Sequence, residues 1–318
     1  MTRIGTSDLD VFPLALGGNV FGWTADRDAS FAILDAFHAG GGNFIDTADS
    51  YSAWVPGHTG GESERIIGEW LASRNHTGVT VATKVSQHPE YKGLAAANVR
   101  AAAEASLERL GVESIDLYYA HFDDAETPLE ETVAAFGQLV SDGLVRYTAV
   151  SNYSADRIRE WVRIARDLGV AEPVAVQPHY NLVHRETEND IIPAAEEFHL
   201  GVVPYFALAK GFLTGKYRST DAEADGHSSP RAAAAATYAT PQGLQILEVM
   251  ERIGGAHDVP LASVALAWLR AKPAVVAPIA SASSLSQVPA LLAGATTDLT
   301  ADEVAELDDV SEWTPADM

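Results

Sequence analysis

The chain has 318 residues, of which 44 are acidic and 21 are lysine or arginine, and its net charge is −23. A field of this sign repels nucleic acid and anionic membranes, so we expect neither as a partner. The absence of cysteine excludes disulfides, thiolate metal ligands and a cysteine nucleophile. No apolar run has the length of a membrane span and the N-terminus lacks a secretory pattern, so we expect a cytoplasmic protein.

Short apolar runs alternate with amphipathic stretches along the chain, a pattern typical of strands joined by helices. The predicted strands are Pro13–Gly17, Asn43–Asp46, Val79–Lys84, Ile115–His121, Val145–Val150, Val174–Gln177, Gly201–Tyr205 and Ala274–Ile279. The predicted helices are Ala29–Ala39, Glu62–Arg74, Leu94–Leu110, Leu129–Asp142, Ala155–Leu168, Glu188–Phe198, Gln242–Ala256 and Leu261–Ala271. Eight strand–helix units predict a closed (β/α)8 barrel of the TIM type, as a single domain over residues 1–318.

Two segments depart from this repeat. Arg3–Phe12 is predicted to form a β-hairpin, with its turn at Thr6–Asp8, that plugs the bottom of the barrel. After the seventh strand, the segment from Gly211 to Gly243 is rich in Ser, Thr, Asp and Ala. It is too long for an ordinary connection, so we expect a mobile loop over the pocket.

A doubly wound sheet that binds a dinucleotide is the rival fold. Its fingerprint, Gly-x-Gly-x-x-Gly after the first strand, is not matched by Gly17–Gly22. A metal-dependent barrel hydrolase also has little support, because the sequence has no His-x-His pair and its histidines are dispersed. We therefore expect a closed barrel without a bound metal.

Titratable side chains stand at or near the downstream ends of three consecutive predicted strands. These are Asp46, Lys84 and His121, which are 38 and 37 residues apart, and Tyr51 follows Asp46 by five residues. A parallel barrel gathers its downstream strand ends around one pocket, where its chemistry takes place. Each residue alone has an ordinary structural explanation. Together they predict a proton-transfer site.

The predicted site suits reduction of a carbonyl group or the reverse reaction. Tyr51 would donate a proton to an oxygen that becomes an alkoxide, and Lys84 would stabilise the phenolate that remains. Asp46 would keep Lys84 charged, and His121 would align the substrate oxygen. Because none of these groups is a strong nucleophile, hydrolysis is disfavoured.

The chain resembles the aldo-keto reductases from Leu14 to about Leu292. The motifs that carry the similarity are Phe44–Tyr51, Gly61–Glu64, Ala82–Lys84, Asp116–His121, Gly143–Asn152, Gln177–Leu182 and Gly211–Tyr217. The long loop and the last motif are similar to the bacterial and potassium-channel-β-subunit-like branches. The resemblance implies reduction of an aldehyde or ketone by a nicotinamide cofactor, with a catalytic tetrad of Asp46, Tyr51, Lys84 and His121.

The same resemblance implies a cofactor that lies extended across the barrel mouth. Ser151, Asn152 and Gln177 match the positions that hold the nicotinamide carboxamide, and their side chains have the donors and acceptors that an amide needs. Tyr205 matches the aromatic residue that stacks on the nicotinamide ring. Lys216 falls in the stretch that meets the pyrophosphate, assisted by backbone amides from Leu208 to Gly211. Further cofactor contacts are implied for Gly18, Asn19, Asp46, Phe206, Ser281, Ser283 and Gln287.

One departure from the family pattern bears on the choice of cofactor. The basic residue that commonly grips the 2′-phosphate of NADP is missing from Pro278–Gln287, where Ser281, Ser283 and Ser284 stand. Hydroxyl groups bond a phosphate without the strength of a charge-assisted contact. NADPH is the usual cofactor of the family, NADH stays open, and Arg218 or Arg231 could supply the missing charge.

The expected ligand besides the cofactor is a small-molecule carbonyl compound, either apolar, planar or a sugar, held by aromatic side chains. The candidates are Phe21, Trp23, Trp54, Phe122, Phe206 and, in the tail, Trp313. Two other functions stay open: a cofactor-binding sensor or accessory protein with slow turnover, and a lyase or isomerase that uses Lys84 as a Schiff-base amine. We expect a monomer or a homo-oligomer.

Overall fold

The computed structural model describes residues 1–74, 77–220 and 230–312, and eight parallel strands in them form one curled sheet. The strands are β3 (Ala15–Gly17), β4 (Phe44–Asp46), β5 (Thr80–Val85), β6 (Ile115–Ala120), β7 (Val145–Ser151), β8 (Pro173–Gln177), β9 (Gly201–Val202) and β10 (Ile279–Ala280). They follow the order of the chain, and β10 pairs with β3. The predicted (β/α)8 barrel is confirmed.

The barrel closes between β9 and the segment that leads into β10. The Val202 amide donates to the Ala274 carbonyl at 2.8 Å, and the Val276 amide donates to the Val202 carbonyl at 2.9 Å. On the other side, the Ala15 amide donates to the Pro278 carbonyl at 3.0 Å. The predicted eighth strand is regular only at its end, because Pro278 has no N–H for the ladder.

Helices cover the outside of the sheet. Those between strands are α1 (Arg27–Ala39), α2 (Glu62–Arg74), α3 (Ala96–Leu110), α4 (Leu129–Ser141), α5 (Ala155–Leu168) and α6 (Ile191–Glu197). Between β9 and β10 lie α7 (Ala232–Ala236), α8 (Pro241–His257) and α9 (Leu261–Arg270), and α10 (Val288–Thr296) and α11 (Ala301–Val310) come last. None of the helices in the described ranges is long and apolar enough to cross a bilayer.

Helix α5 illustrates why these stretches fold as they do. Ile158, Trp161 and Ala165 recur at helical spacing and are buried against the sheet. The Ser154 side chain accepts a hydrogen bond from the first turn, and Gly169 ends the helix in the left-handed conformation. The apolar stripe and the two caps fix both the face and the length of the helix.

The N-terminal hairpin, β1 (Thr2–Arg3) paired with β2 (Asp10–Val11), covers the bottom of the barrel as predicted. Ile4 and Leu9 pack among apolar side chains inside the barrel, such as Leu117. At the rim, an Arg146 guanidinium nitrogen donates to Asp8 Oδ1 at 2.7 Å. The hairpin therefore covers the end of the barrel opposite to the downstream strand ends.

The segment predicted as a mobile loop after β9 has more regular structure than expected. Ala209–Thr214 forms 3-10 turns that are interrupted by non-helical backbone at Lys210 and Gly211, and α7 forms before α8 starts at Pro241. Helix α7 is a run of alanines, the residue with the highest helix propensity, which explains the difference. Residues 221–229 of the predicted loop lie outside the described ranges.

Candidate active site

The structure brings the predicted tetrad together at the downstream end of the barrel. Asp46 is the last residue of β4, Lys84 is the next to last of β5, and His121 follows the last residue of β6. Tyr51 is carried by the turn after β4, in which its amide donates to the Ala48 carbonyl at 3.2 Å. Neighbouring parallel strands thus present these side chains at one rim.

Lys84 is fully buried, and its ammonium group donates to Asp46 Oδ1 at 2.6 Å, to the Thr47 carbonyl at 2.7 Å and to the Tyr51 hydroxyl at 3.1 Å. Gln177 Nε2 donates to the second Asp46 oxygen at 2.9 Å. Burial lowers the pKa of Lys84, but Asp46 and Tyr51 raise it by more, so the amine stays charged. An ammonium group engaged in this way is not a nucleophile, which argues against a Schiff base.

Tyr51 is partly buried and lines the cavity described below. Burial raises its pKa, the Lys84 ammonium lowers it and Asp46 raises it, and the net pKa lies above the usual value of 10.0. Burial therefore outweighs the stabilisation of the phenolate by Lys84. At neutral pH the phenol keeps its proton, which is the state that a proton donor requires.

The imidazole of His121 lies edge-on to the ring of Tyr51, with the ring centroids 6.1 Å apart. Burial, and then the nearby charge of Lys84, hold the pKa of His121 well below its usual value of 6.5. The ring is therefore neutral at neutral pH and has one N–H to donate. A neutral imidazole can bond and orient a substrate oxygen, whereas it is a weak proton donor.

A cavity of about 760 Å³ opens over these groups. Its walls come from segments that follow the barrel strands, and Lys84 lies beneath Asp46 and Tyr51 rather than on the wall. The predicted residues that line it are Asn19, Trp23, Asp46, Tyr51, Trp54, His121, Phe122, Ser151, Asn152, Gln177, Tyr205, Phe206, Leu208, Gly211, Lys216, Ser281, Ser283 and Gln287.

Phe21 and Gly18, which were predicted to contact a ligand, do not line the cavity. Phe21 is fully buried in the core, and its carbonyl accepts a bond from Ser52 Oγ at 2.9 Å, because the chain turns inward after β3. The Gly18 amide donates to the Asp46 carbonyl at 2.7 Å, and a Cβ at Gly18 would lie 2.7 Å from Ser63 Oγ. This glycine allows close packing beneath Asp46. Trp313 lies outside the described residues.

A hydrogen-bonded chain of polar side chains forms one wall. Ser151 Oγ donates to the Gln177 carbonyl at 2.9 Å, and Asn152 Nδ2 donates to the His121 carbonyl at 2.9 Å. The Tyr205 hydroxyl donates to Asn152 Oδ1 at 2.8 Å. Because the amides and hydroxyls retain further bonding capacity, this wall can bond a planar amide.

Cationic side chains line the side of the cavity formed by the segment after β9: Lys210, Lys216 and Arg231. In a chain with a net charge of −23, this local positive charge favours an anionic ligand. The Arg231 guanidinium lies over the Trp23 ring, 5.4 Å from its centroid. Arg218, the other candidate cation, is ion-paired with Glu251 and does not line the cavity.

The backbone of the same segment is unusual. Leu208 has φ −103°, and Ala209, Lys210 and Gly211 follow with φ of 47°, 58° and 107°. The Ala209 amide donates to the Phe206 carbonyl at 2.7 Å and the Gly211 amide to the Leu208 carbonyl at 2.8 Å, so the segment is folded into consecutive tight turns. The side chain of Lys210 was missed by the sequence reasoning, because a lysine between alanine and glycine gives no periodic signal. Ser286, which also lines the cavity, was missed as well.

A second group of buried charges lies behind the turn that carries Tyr51. Glu64 accepts bonds from Arg109 Nε and from Thr83 Oγ1, both at 2.6 Å. Asp49 is fully buried, and neither of its carboxylate oxygens has a hydrogen-bond partner among the described residues. Burial, and then Glu64, raise the pKa of Asp49 well above its usual value. Both causes act against the charged form of this carboxyl group.

Comparison with known proteins identifies the family of the chain. The sequence profile of the Aldo/keto reductase family matches residues 13–312, which is nearly the whole chain. The chain belongs to the aldo/keto reductase family. It is an oxidoreductase of a family that generally uses nicotinamide cofactors.

Relatives with several names share about a third of the sequence. Norsolorinic acid reductase B of Dothistroma septosporum is 30% identical in an alignment 321 positions long that spans 95% of this chain and 79% of that protein. A protein of Bacillus subtilis named uncharacterized oxidoreductase YrpG is 33% identical over 297 residues, or 90% and 88% of the two chains. A probable voltage-gated potassium channel subunit beta of Oryza sativa is 31% identical over 295 residues, again 90% and 88%.

Proposed function

We propose that this protein reduces an aldehyde or ketone to an alcohol, with NADPH or NADH as the hydride donor. The observation that carries the proposal is the bonded chain Asp46–Lys84–Tyr51, in which the buried Lys84 links two residues of the cavity wall. It holds a protonated phenol at the point where a substrate oxygen would lie. The reduced nicotinamide supplies the hydride when it is bound.

The cavity has the groups that a nicotinamide dinucleotide requires. Ser151, Asn152 and Gln177 offer donors and acceptors for a carboxamide, and Tyr205 offers a flat ring beside them. Phosphate groups would meet the lysine and arginine side chains that line the cavity after β9. Asn19, Ser281, Ser283 and Gln287 line the cavity and would meet the adenosine end of the dinucleotide.

The protein's own residues account for the proton that balances the hydride. As the carbonyl carbon accepts the hydride, the C=O double bond opens and the oxygen takes the proton of Tyr51. Lys84 donates to the phenolate oxygen left behind, at the position where it already bonds the phenol at 3.1 Å. Asp46 fixes the ammonium group from the far side, and His121 orients the substrate oxygen.

Aromatic side chains at the mouth support an apolar or planar carbonyl substrate. The rings of Trp23 and Trp54 meet edge to face with centroids 5.5 Å apart. Trp54 is 50% exposed and Phe122 is 42% exposed, although both are large apolar groups that are usually buried. A flat apolar substrate would cover these rings, whereas a sugar would cover only part of them.

Fluorescence titration with NADPH and NADH in parallel, followed by turnover of a panel of aromatic, aliphatic and sugar carbonyls, tests the proposal. We expect micromolar or tighter binding of at least one cofactor and the fastest turnover with aromatic carbonyls. Cofactor binding without turnover of any carbonyl would favour the accessory-protein hypothesis. Binding of neither cofactor would overturn the proposal.

A further inference from the structure

Three aromatic rings form a stack that begins at the cavity and runs away from it. The rings of His179 and Tyr205 are 5.4 Å apart between centroids and inclined by 20°. The rings of His179 and His184 are 3.7 Å apart and inclined by 11°. Tyr205 lines the cavity and neither histidine does. One face of Tyr205 is therefore covered by His179, and the other is available to the cavity.

The backbone sets this stack. His179 and Tyr205 are paired in a parallel bridge, and the Tyr205 amide donates to the Pro178 carbonyl at 2.9 Å. The turn from Asn181 to His184, closed by amide–carbonyl bonds of 3.1 and 3.0 Å, folds His184 back over His179. The segment that leaves β8 carries both histidines and places them against Tyr205, which follows β9.

Asn181 adds a polar link between the stack and the cavity wall. Its side-chain nitrogen donates to the Phe206 carbonyl at 2.9 Å and lies 3.3 Å from His179 Nε2. Phe206 follows Tyr205 and has a left-handed φ of 53°. The position of the His179 ring is thus coupled to the backbone next to Tyr205.

The hydroxyl bond of Tyr205 does not by itself fix the plane of its ring. A tyrosine held at its hydroxyl by Asn152 can still turn about its long axis, since that torsion is broad. A parallel ring against one face removes this freedom. Aromatic contacts of this kind contribute beyond the area they bury.

The two histidines are suited to a close stack because both are neutral at neutral pH. Burial, then His184 and Lys210, lower the pKa of His179 to about 3. Burial also lowers the pKa of His184, against the opposing influence of Glu186. Two imidazolium ions at this separation would repel each other, whereas two neutral rings attract.

We propose that His179 and His184 are positioning residues that fix the plane of Tyr205 and thereby the affinity and orientation of the nicotinamide ring. The inference rests on the proposed function, because it requires a nicotinamide against Tyr205. It assigns a role to the Gln177–Leu182 motif beyond Gln177 itself.

The test compares His184→Ala with His184→Phe, since His184 is only partly buried and substitutions at such positions change stability less than those in the core. The first removes the outer ring, and the second restores a neutral ring. We expect His184→Ala to weaken NADPH binding roughly three- to tenfold, the range of an aromatic pair, and His184→Phe to restore it. Binding of 2′,5′-ADP, which has no nicotinamide, should be the same in all three proteins.

Two outcomes would contradict the inference alone: unchanged NADPH affinity in His184→Ala, or an equal loss of affinity for 2′,5′-ADP. The second would mean that the change acts on the whole cavity. A wild-type protein that binds neither NADPH nor NADH would overturn the proposed function, and this inference with it. Measuring the wild type first keeps the two failures apart.

Discussion

The two sides of the barrel mouth are built in different ways. On the side of β4 to β6, buried side chains bond to one another, and Lys84 and Asp46 are 0% and 1% exposed. On the side of β9 and β10, the wall consists of a left-handed backbone segment and of serines such as Ser283, which is exposed. The first side buries charged groups away from water. The second side presents a more exposed wall of backbone and hydroxyl groups.

This difference predicts two kinds of response to substitution. On the buried side, loss of one charged partner leaves the other without a counter-charge. This lowers the free energy of unfolding by about 3–5 kcal/mol. In the exposed side, a substitution changes affinity or selectivity and leaves stability almost unaltered.

The largest effect is expected for Tyr51→Phe on the buried side. The change removes one hydroxyl and the proton it would donate, so turnover should fall by ~10²–10⁴-fold, the usual contribution of a positioned acid. Cofactor affinity should stay within about twofold. Steady-state rates with an aromatic aldehyde and fluorescence titration with NADPH measure the two quantities, and unchanged turnover would remove Tyr51 from its role.

Lys84→Met is expected to reduce activity by a comparable factor and also to destabilise the fold. Asp46 would remain buried with a charge and only Gln177 as a side-chain partner, so the free energy of unfolding should drop by about 3–5 kcal/mol. Urea denaturation measures the drop.

The matched control is the double variant Asp46→Asn/Lys84→Met. It removes both charges, so stability should recover in large part while activity stays low. If the double variant is as unstable as Lys84→Met, the ion pair is not the source of the loss.

Asp49→Asn tests the second buried group through the pH dependence of stability. The folded-state pKa of Asp49 is raised, so the wild type must hold this proton on folding and loses stability as pH rises above about 4. The asparagine of the variant does not titrate, so its stability lacks this pH dependence. The difference in unfolding free energy should shift in favour of Asn by up to ~1.4 kcal/mol per pH unit until the folded-state pKa is reached.

Denaturant titrations at several pH values check this prediction, with Glu113→Gln as the control. Glu113 is exposed, so its replacement should leave the pH profile of stability unaltered. Parallel profiles for Asp49→Asn and the wild type would mean that Asp49 is ionised in the folded protein.

The smallest effect is expected on the exposed side. Ser283→Arg adds a cation to the wall that would meet the adenosine end and should shift the NADPH/NADH affinity ratio about tenfold towards NADPH, the size of one charge-assisted bond. Leu285→Arg, which is exposed but does not line the cavity, is the control for added charge. An equal shift in both variants would indicate a general electrostatic effect.

The contrast between the two sides also explains what the sequence could predict. Asp46, Lys84 and His121 stand at strand ends with one unit of the repeat between them, so the period alone brings them together. The barrel and the hairpin follow from the same alternation of apolar runs. These features depend on the spacing of residue types along the chain, which can be read directly from the sequence.

The rest depends on how the backbone turns. Phe21 is an aromatic residue after a strand, like Trp23, and only the inward turn of the chain separates a buried ring from one at the cavity. The left-handed conformation of Ala209 and Lys210 has no sequence signal, since both residues usually avoid it. The stack of His179 and His184 depends on a turn in the same way.

The bond from Ala15 to Pro278 has a consequence for folding during translation. The first barrel strand leaves the ribosome about 260 residues before its partner is made, which at ~5–20 residues per second is an interval of tens of seconds. Throughout that time the growing sheet has an unpaired edge, of the kind that recruits strands from other molecules. A nascent chain stopped before residue 278 can therefore be expected to aggregate, because the edge of the first strand stays unpaired.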